Sequence, residues 1–234
     1  MRMLAALAVA FCLAPTLVCA QPQARGLQVS PVIMSVREER PITSFRVRNS
    51  GAAETSIELA AMRWSQEGGE FVLEPTTDVI VAPSVFLLEP GREQIVRVGV
   101  RGPPSGRERA YRIVLRELPR PDPVRRMRLR LEMSMPLFVA AETARGQLAV
   151  RRTRDESGAP AIVLENRGDA HLVLADPSGR LAPLPRYLLP GARVTRPLPA
   201  GETSLALVAS DVRAPTPAPQ TFRIEDAPVL ADLR

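Results

Sequence analysis

After residue 20 the apolar residues of this chain almost never recur at helical spacing. Instead 24 prolines and 14 glycines cut the sequence into short apolar runs. Runs of four to eight residues bounded by turn residues predict β-strands joined by tight connections. Nine strands are expected in the first half, over 27–35, 43–49, 56–65, 71–73, 78–81, 85–88, 94–101, 109–118 and 124–139. Seven follow, over 147–152, 161–165, 172–175, 186–189, 192–196, 204–210 and 221–224. Gly68-Gly69 predicts a hairpin tip between Trp64 and Phe71.

The two halves echo each other. Asn49-Ser50-Gly51 and Asn166-Arg167-Gly168 each follow an alternating strand. Leu88-Glu89-Pro90-Gly91 and Leu188-Leu189-Pro190-Gly191 each precede a strand with valine in it. Asn and Gly tolerate positive φ, so the Asn-x-Gly pairs are expected to form hairpin turns. The spacing fits an all-β chain of two tandem immunoglobulin-like β-sandwich domains, residues 21–140 and 141–234, split near 140–146. Trp64 falls where such sandwiches often bury a tryptophan between their sheets, or is an ordinary core residue.

The N-terminus has the order of a secretory signal: Arg2, an apolar stretch from Met3 to Val18, and small residues ending at Ala20. Cleavage is expected after Ala20. The stretch is short for a spanning helix and carries Pro15, so the mature chain is not expected to span a membrane. Both cysteines, Cys12 and Cys19, lie in this leader, so the mature fold is expected to rely on burial and strand pairing without disulfides.

All 31 basic residues are arginine, and loss of Arg2 lowers the formal net charge from +6 to +5. Any anion the protein grips therefore meets a planar guanidinium fork. Nucleic acid is a poor partner, because aromatics are few and the arginines alternate with apolar residues. Enzyme readings also lack their parts. His171 is the single histidine, next to Asp169-Ala170, and is expected at the surface of a turn. A hydrolase would have to recruit it without a nucleophile elbow. No metal-ligand spacing, phosphate loop or cofactor motif is found.

One segment stands out. Met127, Leu129, Leu131, Met133 and Met135 recur at period two, with Arg126, Arg128, Arg130, Glu132 and Ser134 between them. A strand sends alternate residues to opposite faces, so this is a long ribbon with one apolar and one polar face. It either covers its own core or, being Met-rich and adaptable, completes a partner at an exposed edge.

Several phrases resemble the periplasmic chaperones of the chaperone–usher pilus pathway, in particular the archaic subgroup. In order they are Leu27-Gln28-Val29-Ser30-Pro31, Val47-Arg48-Asn49-Ser50-Gly51, Trp64-Ser65-Gln66-Glu67-Gly68, and Val81-Ala82-Pro83 with Leu88-Glu89-Pro90-Gly91. Then come Gln94-Ile95-Val96-Arg97-Val98, Ala110-Tyr111-Arg112-Ile113 with Arg116-Glu117-Leu118-Pro119, and Ser134-Met135-Pro136-Leu137-Phe138-Val139. The second half resembles the family only loosely.

The resemblance implies a periplasmic protein of a Gram-negative bacterium whose partners are pilin or fimbrial subunits and an outer-membrane usher. Such subunits lack a final strand. The chaperone supplies one by donor-strand complementation, here within 127–138, with Met127, Leu129, Leu131, Met133 and Met135 filling the subunit's groove. Four or five such side chains give a gross gain of about 6–15 kcal/mol before ordering costs. No nucleotide is needed. An exposed donor strand could also cap itself in a homo-oligomer.

In much of this family an arginine on the first strand and a lysine on the donated strand hold the subunit's C-terminal carboxylate. Here the first-strand stretch is Pro31-Val32-Ile33, and the lysine position falls at Pro136. Arg112 is the first candidate for a relocated anchor. Arg97 is the second, with an internal partner such as Glu108 as its alternative. A structural or adhesive periplasmic sandwich without a pilin client is the competing reading of the whole chain.

Overall fold

The computed structural model describes residues 26–119, 130–176, 179, 181, 183–198, 204–211 and 220–223. The expected leader, 1–20, lies outside them. Among the described residues all regular structure is β, as the punctuation predicts. The first half holds β1 (Leu27–Ser30), β2 (Met34–Arg37), β3 (Ile42–Asn49), β4 (Thr55–Glu67), β5 (Glu70–Pro75), β6 (Val79–Ala82), β7 (Val85–Leu88), β8 (Glu93–Val100), β9 (Arg109–Glu117) and β10 (Glu132–Ala140). The second half holds β11 (Leu148–Arg154), β12 (Pro160–Asn166), β13 (Leu172–Ala175), β14 (Tyr187–Leu188), β15 (Arg193–Pro197), β16 (Ser204–Asp211) and β17 (Gln220–Arg223).

Each half is a two-sheet sandwich. In the first, a sheet ordered β1-β3-β8-β6 faces one ordered β2-β10-β9-β4-β5, with β7 also on β4. In the second, β11-β12-β15 faces β14-β13-β16-β17. Among these pairs only β10 with β2 is parallel. Alternation along each strand builds the first core. Phe45, Val47, Val96 and Val98 from one sheet meet Ile57, Leu59, Ile113, Leu115 and Leu137 from the other, all buried. Each such aliphatic side chain stabilises the fold by about 1.5–3 kcal/mol.

Proline marks the places where a single run changes sheets. The expected strand 27–35 divides at Pro31 into β1, in one sheet, and β2, in the other. Pro83 sits at the matching change from β6 to β7. With no N–H, proline cannot extend the ladder it interrupts.

The two Asn-x-Gly sequences do not form hairpin turns. Each ends a strand whose chain then crosses to the opposite sheet, β3 to β4 and β12 to β13. Neither Gly51 nor Gly168 has a positive φ. The asparagine side chain is what matters. The Asn49 amide donates to the carbonyls of Ala53 at 2.7 Å and Leu88 at 2.9 Å, and its oxygen accepts from Gly51 N–H at 2.9 Å. The Asn166 amide donates to Ala170 at 2.8 Å and Leu188 at 2.9 Å, and its oxygen accepts from Gly168 at 3.0 Å. Their own carbonyls accept from Gly91 and Gly191, both at 2.8 Å. The repeat seen in the sequence is therefore one clip built twice, each buried and satisfied.

Trp64 is not between the sheets of its own domain. It lies on the outer face of its sheet, 3% exposed, and packs with Ala110 and Phe138 into the core of the second sandwich beside Tyr187, Leu188 and Val194. The side-chain amide of Gln66 ties the halves further. It donates to the Tyr187 carbonyl at 2.8 Å and accepts from Leu189 N–H at 2.7 Å.

Candidate functional site

The described part of the expected ribbon becomes β10, which begins at Glu132 and pairs with β9 from Glu132↔Arg116 to Val139↔Arg109. On its other side β2 covers it only from Leu137 to Ala140. The Glu117 N–H donates to the Leu131 carbonyl at 3.0 Å, which turns the odd-numbered backbone groups toward β9. Even-numbered groups then face the other side, as the bond from Glu38 N–H to the Ala140 carbonyl at 3.2 Å illustrates. Among the described residues, no strand takes up the groups of Glu132 and Ser134 on that side. Pro136 has no N–H to offer, so the free ladder ends there and β2 begins at the next residue.

The apolar stripe passes from covered to open along this edge. Val139, Leu137 and Met135 are sealed in the first core, Met133 is half-buried against it, and Leu131 is 37% exposed. Met135, expected to face a partner, is 1% exposed and belongs to the chain's own core. Its parity aims it between the two sheets of its domain, where β8 and β3 already cover it. Leu131 and Met133 remain at the transition. Met127 and Leu129 lie outside the described residues.

Arg112 projects from β9 on the outer face of the same sheet, opposite Pro136. Its guanidinium lies 3.8 Å from the ring centre of Trp64, 5.9 Å from Tyr187 and 6.0 Å from Phe71. Its Nη1 donates to the Ser134 carbonyl at 3.4 Å, an atom that points to the open edge. Among the described residues no carboxylate pairs with it. Burial draws its pKa below the ordinary arginine value, with Tyr187 acting the other way, and the group keeps its charge. A half-buried cation resting over the Trp64 ring, with no carboxylate on its fork among the described residues, is suited to a carboxylate at the end of the open edge.

Arg97 has no place in this arrangement. It is exposed on β8, beside Ser44 and Ala82, on the outer face of the opposite sheet. The whole first core separates it from Arg112. Nor does Glu108 pair with it. Glu108 is buried and bonds instead to His171, Oε1 to Nδ1 at 2.8 Å and Oε1 to the backbone N–H at 3.0 Å. His171, expected at the surface, is 4% exposed and stacks on Phe138 with ring centres 3.6 Å apart. Among the described residues, no group of three or more His, Cys, Asp or Glu is placed to hold a metal ion.

Sequence reasoning missed Tyr187, Phe71 and Pro136 as parts of this site. Tyr187 and Phe71 lie far apart in sequence and meet only through docking of the two halves and the β4–β5 hairpin. Pro136 carried a signal that could have been used, since a proline inside a long alternating run argues for an edge.

The chain matches the family model of the pili and flagellar-assembly chaperone PapD N-terminal domain over residues 26–143. No curated protein matches it. Among solved structures it is similar to a chain of the CsuC–CsuE chaperone-tip adhesion subunit pre-assembly complex from archaic chaperone–usher Csu pili of Acinetobacter baumannii. The TM-score is 0.68 at 17% identity, covering 83% of this chain and 97% of that one. The Salmonella enterica SafA pilin–SafB chaperone complex gives 0.65 at 14% identity, with coverages of 87% and 98%. The Pseudomonas aeruginosa CupB2 chaperone gives 0.59 at 13% identity, with coverages of 84% and 100%. These neighbours are two-domain immunoglobulin-like proteins, and the two sandwiches described above share that fold. The chain belongs to the family of pilus-assembly chaperones defined by the PapD N-terminal domain.

Proposed function

We propose that this chain is a periplasmic chaperone that stabilises pilus subunits by lending them the open edge of β10 and delivers them to an outer-membrane usher. The observation that carries the reading is the side of β10 away from β9, which β2 leaves uncovered before Leu137 while the apolar stripe runs out of its own core. A subunit lacking one strand fits such an edge through backbone hydrogen bonds and alternate side chains. The groove-filling set is Met127, Leu129, Leu131 and Met133, a gross gain of about 6–12 kcal/mol before ordering costs. Residues 1–20 are a secretory leader on this reading, and the chain divides near 140–146.

Arg112 anchors the subunit's C-terminal carboxylate. The anchor sits at the Pro136 end of the open edge. A subunit strand bringing its last residue there runs parallel to β10, in line with β2. An empty chaperone can cover the same edge with a second copy of itself. A structural or adhesive sandwich without a client has no use for an edge left open in this way.

Leu131→Asp places a charge where the stripe leaves the domain. Co-expressed with a pilin subunit and purified by affinity, the variant yields no complex while its β-sheet circular dichroism is unchanged. A complex that survives this change rules out donation of β10.

A further inference from the structure

A second base stands beside Tyr187. Arg186, the residue before it, belongs to the second sandwich, and its guanidinium carbon lies 5.7 Å from the Tyr187 ring centre. The guanidinium carbon of Arg112, from the first sandwich, lies 5.9 Å from the same centre. The ring itself is 6% exposed and stands edge-on to Trp64. One ring at the seam therefore has a cation from each sandwich close to it.

The two bases share a second property. Other arginines of the first sandwich close on carboxylates, Arg63 on Asp78 and Arg116 on Glu132. Arg116 lies on the same face of β9 as Arg112, and the difference is in the strand opposite. Next to Arg116 that strand supplies Glu132, and next to Arg112 it supplies Pro136. Among the described residues, neither Arg112 nor Arg186 meets a carboxylate, and the Arg186 side chain donates no hydrogen bond. The Arg186 backbone is fixed, since its carbonyl accepts from the Leu174 N–H at 2.9 Å, while its side chain is exposed and free to turn. Like charges gathered near one ring repel, and they do so more strongly where one of them is half-buried. A carboxylate between them removes that repulsion, and its two oxygens have acceptor positions enough for both forks.

We infer that Arg186 is the second base of the anchor: the client's C-terminal carboxylate is shared between Arg112 of the first sandwich and Arg186 of the second. The inference rests on the reading of Arg112 as the anchor. It adds that the client is gripped by both sandwiches.

Surface plasmon resonance at low salt tests it with a pilin subunit bearing its natural C-terminus and with the same subunit extended by several residues. Arg186 is exposed and unbonded, so Arg186→Ala leaves the fold intact. On the natural terminus this variant is expected to bind about three-fold or more weakly than wild type, the scale of a partly exposed charge pair. Arg186→Glu, which sets a carboxylate against a carboxylate, loses more. On the extended subunit, whose carboxylate has moved away, Arg186→Ala and wild type bind alike. Arg97→Ala removes the same charge from the far sheet and leaves both affinities unchanged. Full affinity of Arg186→Ala for the natural terminus overturns the inference. So does an equal loss on both subunits, because Arg186 then grips something other than the carboxylate. In either case a loss of binding in Arg112→Ala leaves the first anchor standing. If Arg112→Ala also binds as tightly as wild type, the anchor itself falls, and a chain that binds no subunit overturns both.

Discussion

The guanidinium of Arg112 lies 3.8 Å above the ring centre of Trp64, with its fork free of any carboxylate among the described residues. A cation on an aromatic face keeps its stacking energy while its donors remain available. Arg112→Ala should weaken binding of a pilin subunit about ten-fold or more, the scale of one lost charge-assisted contact of roughly 1.5–3 kcal/mol. Arg112→Lys should recover little of this, because an ammonium offers neither the planar stack nor a bidentate fork. Surface plasmon resonance on a subunit with a free C-terminus, compared with one extended by several residues, checks both. A lysine variant with wild-type affinity would argue for a simple point charge.

Met135 and Leu131 lie on one face of one ribbon but should fail in different ways. Met135→Asp buries a charge in the first core and should unfold or severely destabilise the free protein, by about 3 kcal/mol or more. Leu131→Asp should leave the melting temperature within a few degrees of wild type. Thermal unfolding of the two variants without any partner separates the residue that maintains the fold from the residue proposed to meet the client.

The paired asparagine clips should both be costly to remove. The buried Asn49 side chain makes three hydrogen bonds and the buried Asn166 side chain four, the fourth from the Gln147 N–H at 3.2 Å; substitution by alanine strands two carbonyls at each site, with one N–H at the first and two at the second. Asn49→Ala and Asn166→Ala should each destabilise by about 2–4 kcal/mol. The sites share no partners, so in the double variant the losses should add in urea unfolding.

Glu38 gives a pH signature. Burial raises its pKa, but hydrogen bonds from the Ser105 N–H and hydroxyl and the Gly106 N–H, with Arg109 nearby, outweigh this and hold it below the ordinary value of 4.5. A depressed carboxylate stabilises the fold above its unfolded pKa, and that contribution disappears as pH falls through the folded value. Glu38→Gln should therefore be less stable than wild type at pH 7, by about 1–3 kcal/mol. The gap should narrow steadily once the pH drops below about 4.5. An equal gap at pH 7 and pH 3 would remove the carboxylate from this role.

Strand content was legible because period-two alternation and Pro/Gly punctuation are local signals. Most boundaries fell within two residues, and 172–175 and 85–88 coincide with β13 and β7. The strand β10 was legible for the same reason. What the ribbon faces was not, because Met133 and Met135 have identical local patterns and differ only in how far β9, β2 and the opposite sheet extend. Arg112 stood out as a base on the strand next to the proposed donor. Its surroundings did not, since Tyr187 reaches Trp64 only through the docking of the two halves. His171 was misread because its partner, Glu108, lies 63 positions away and in the other domain.

Trp64, Ala110 and Phe138 belong by sequence to the first half and by packing to the core of the second. The dependence runs one way. The first sandwich closes its own core without help, whereas the second finishes its interior on side chains displayed by the first. The first half is therefore a template that stands complete, and the second is moulded on it. Released on its own, the carboxyl-terminal half would carry a wound in its interior.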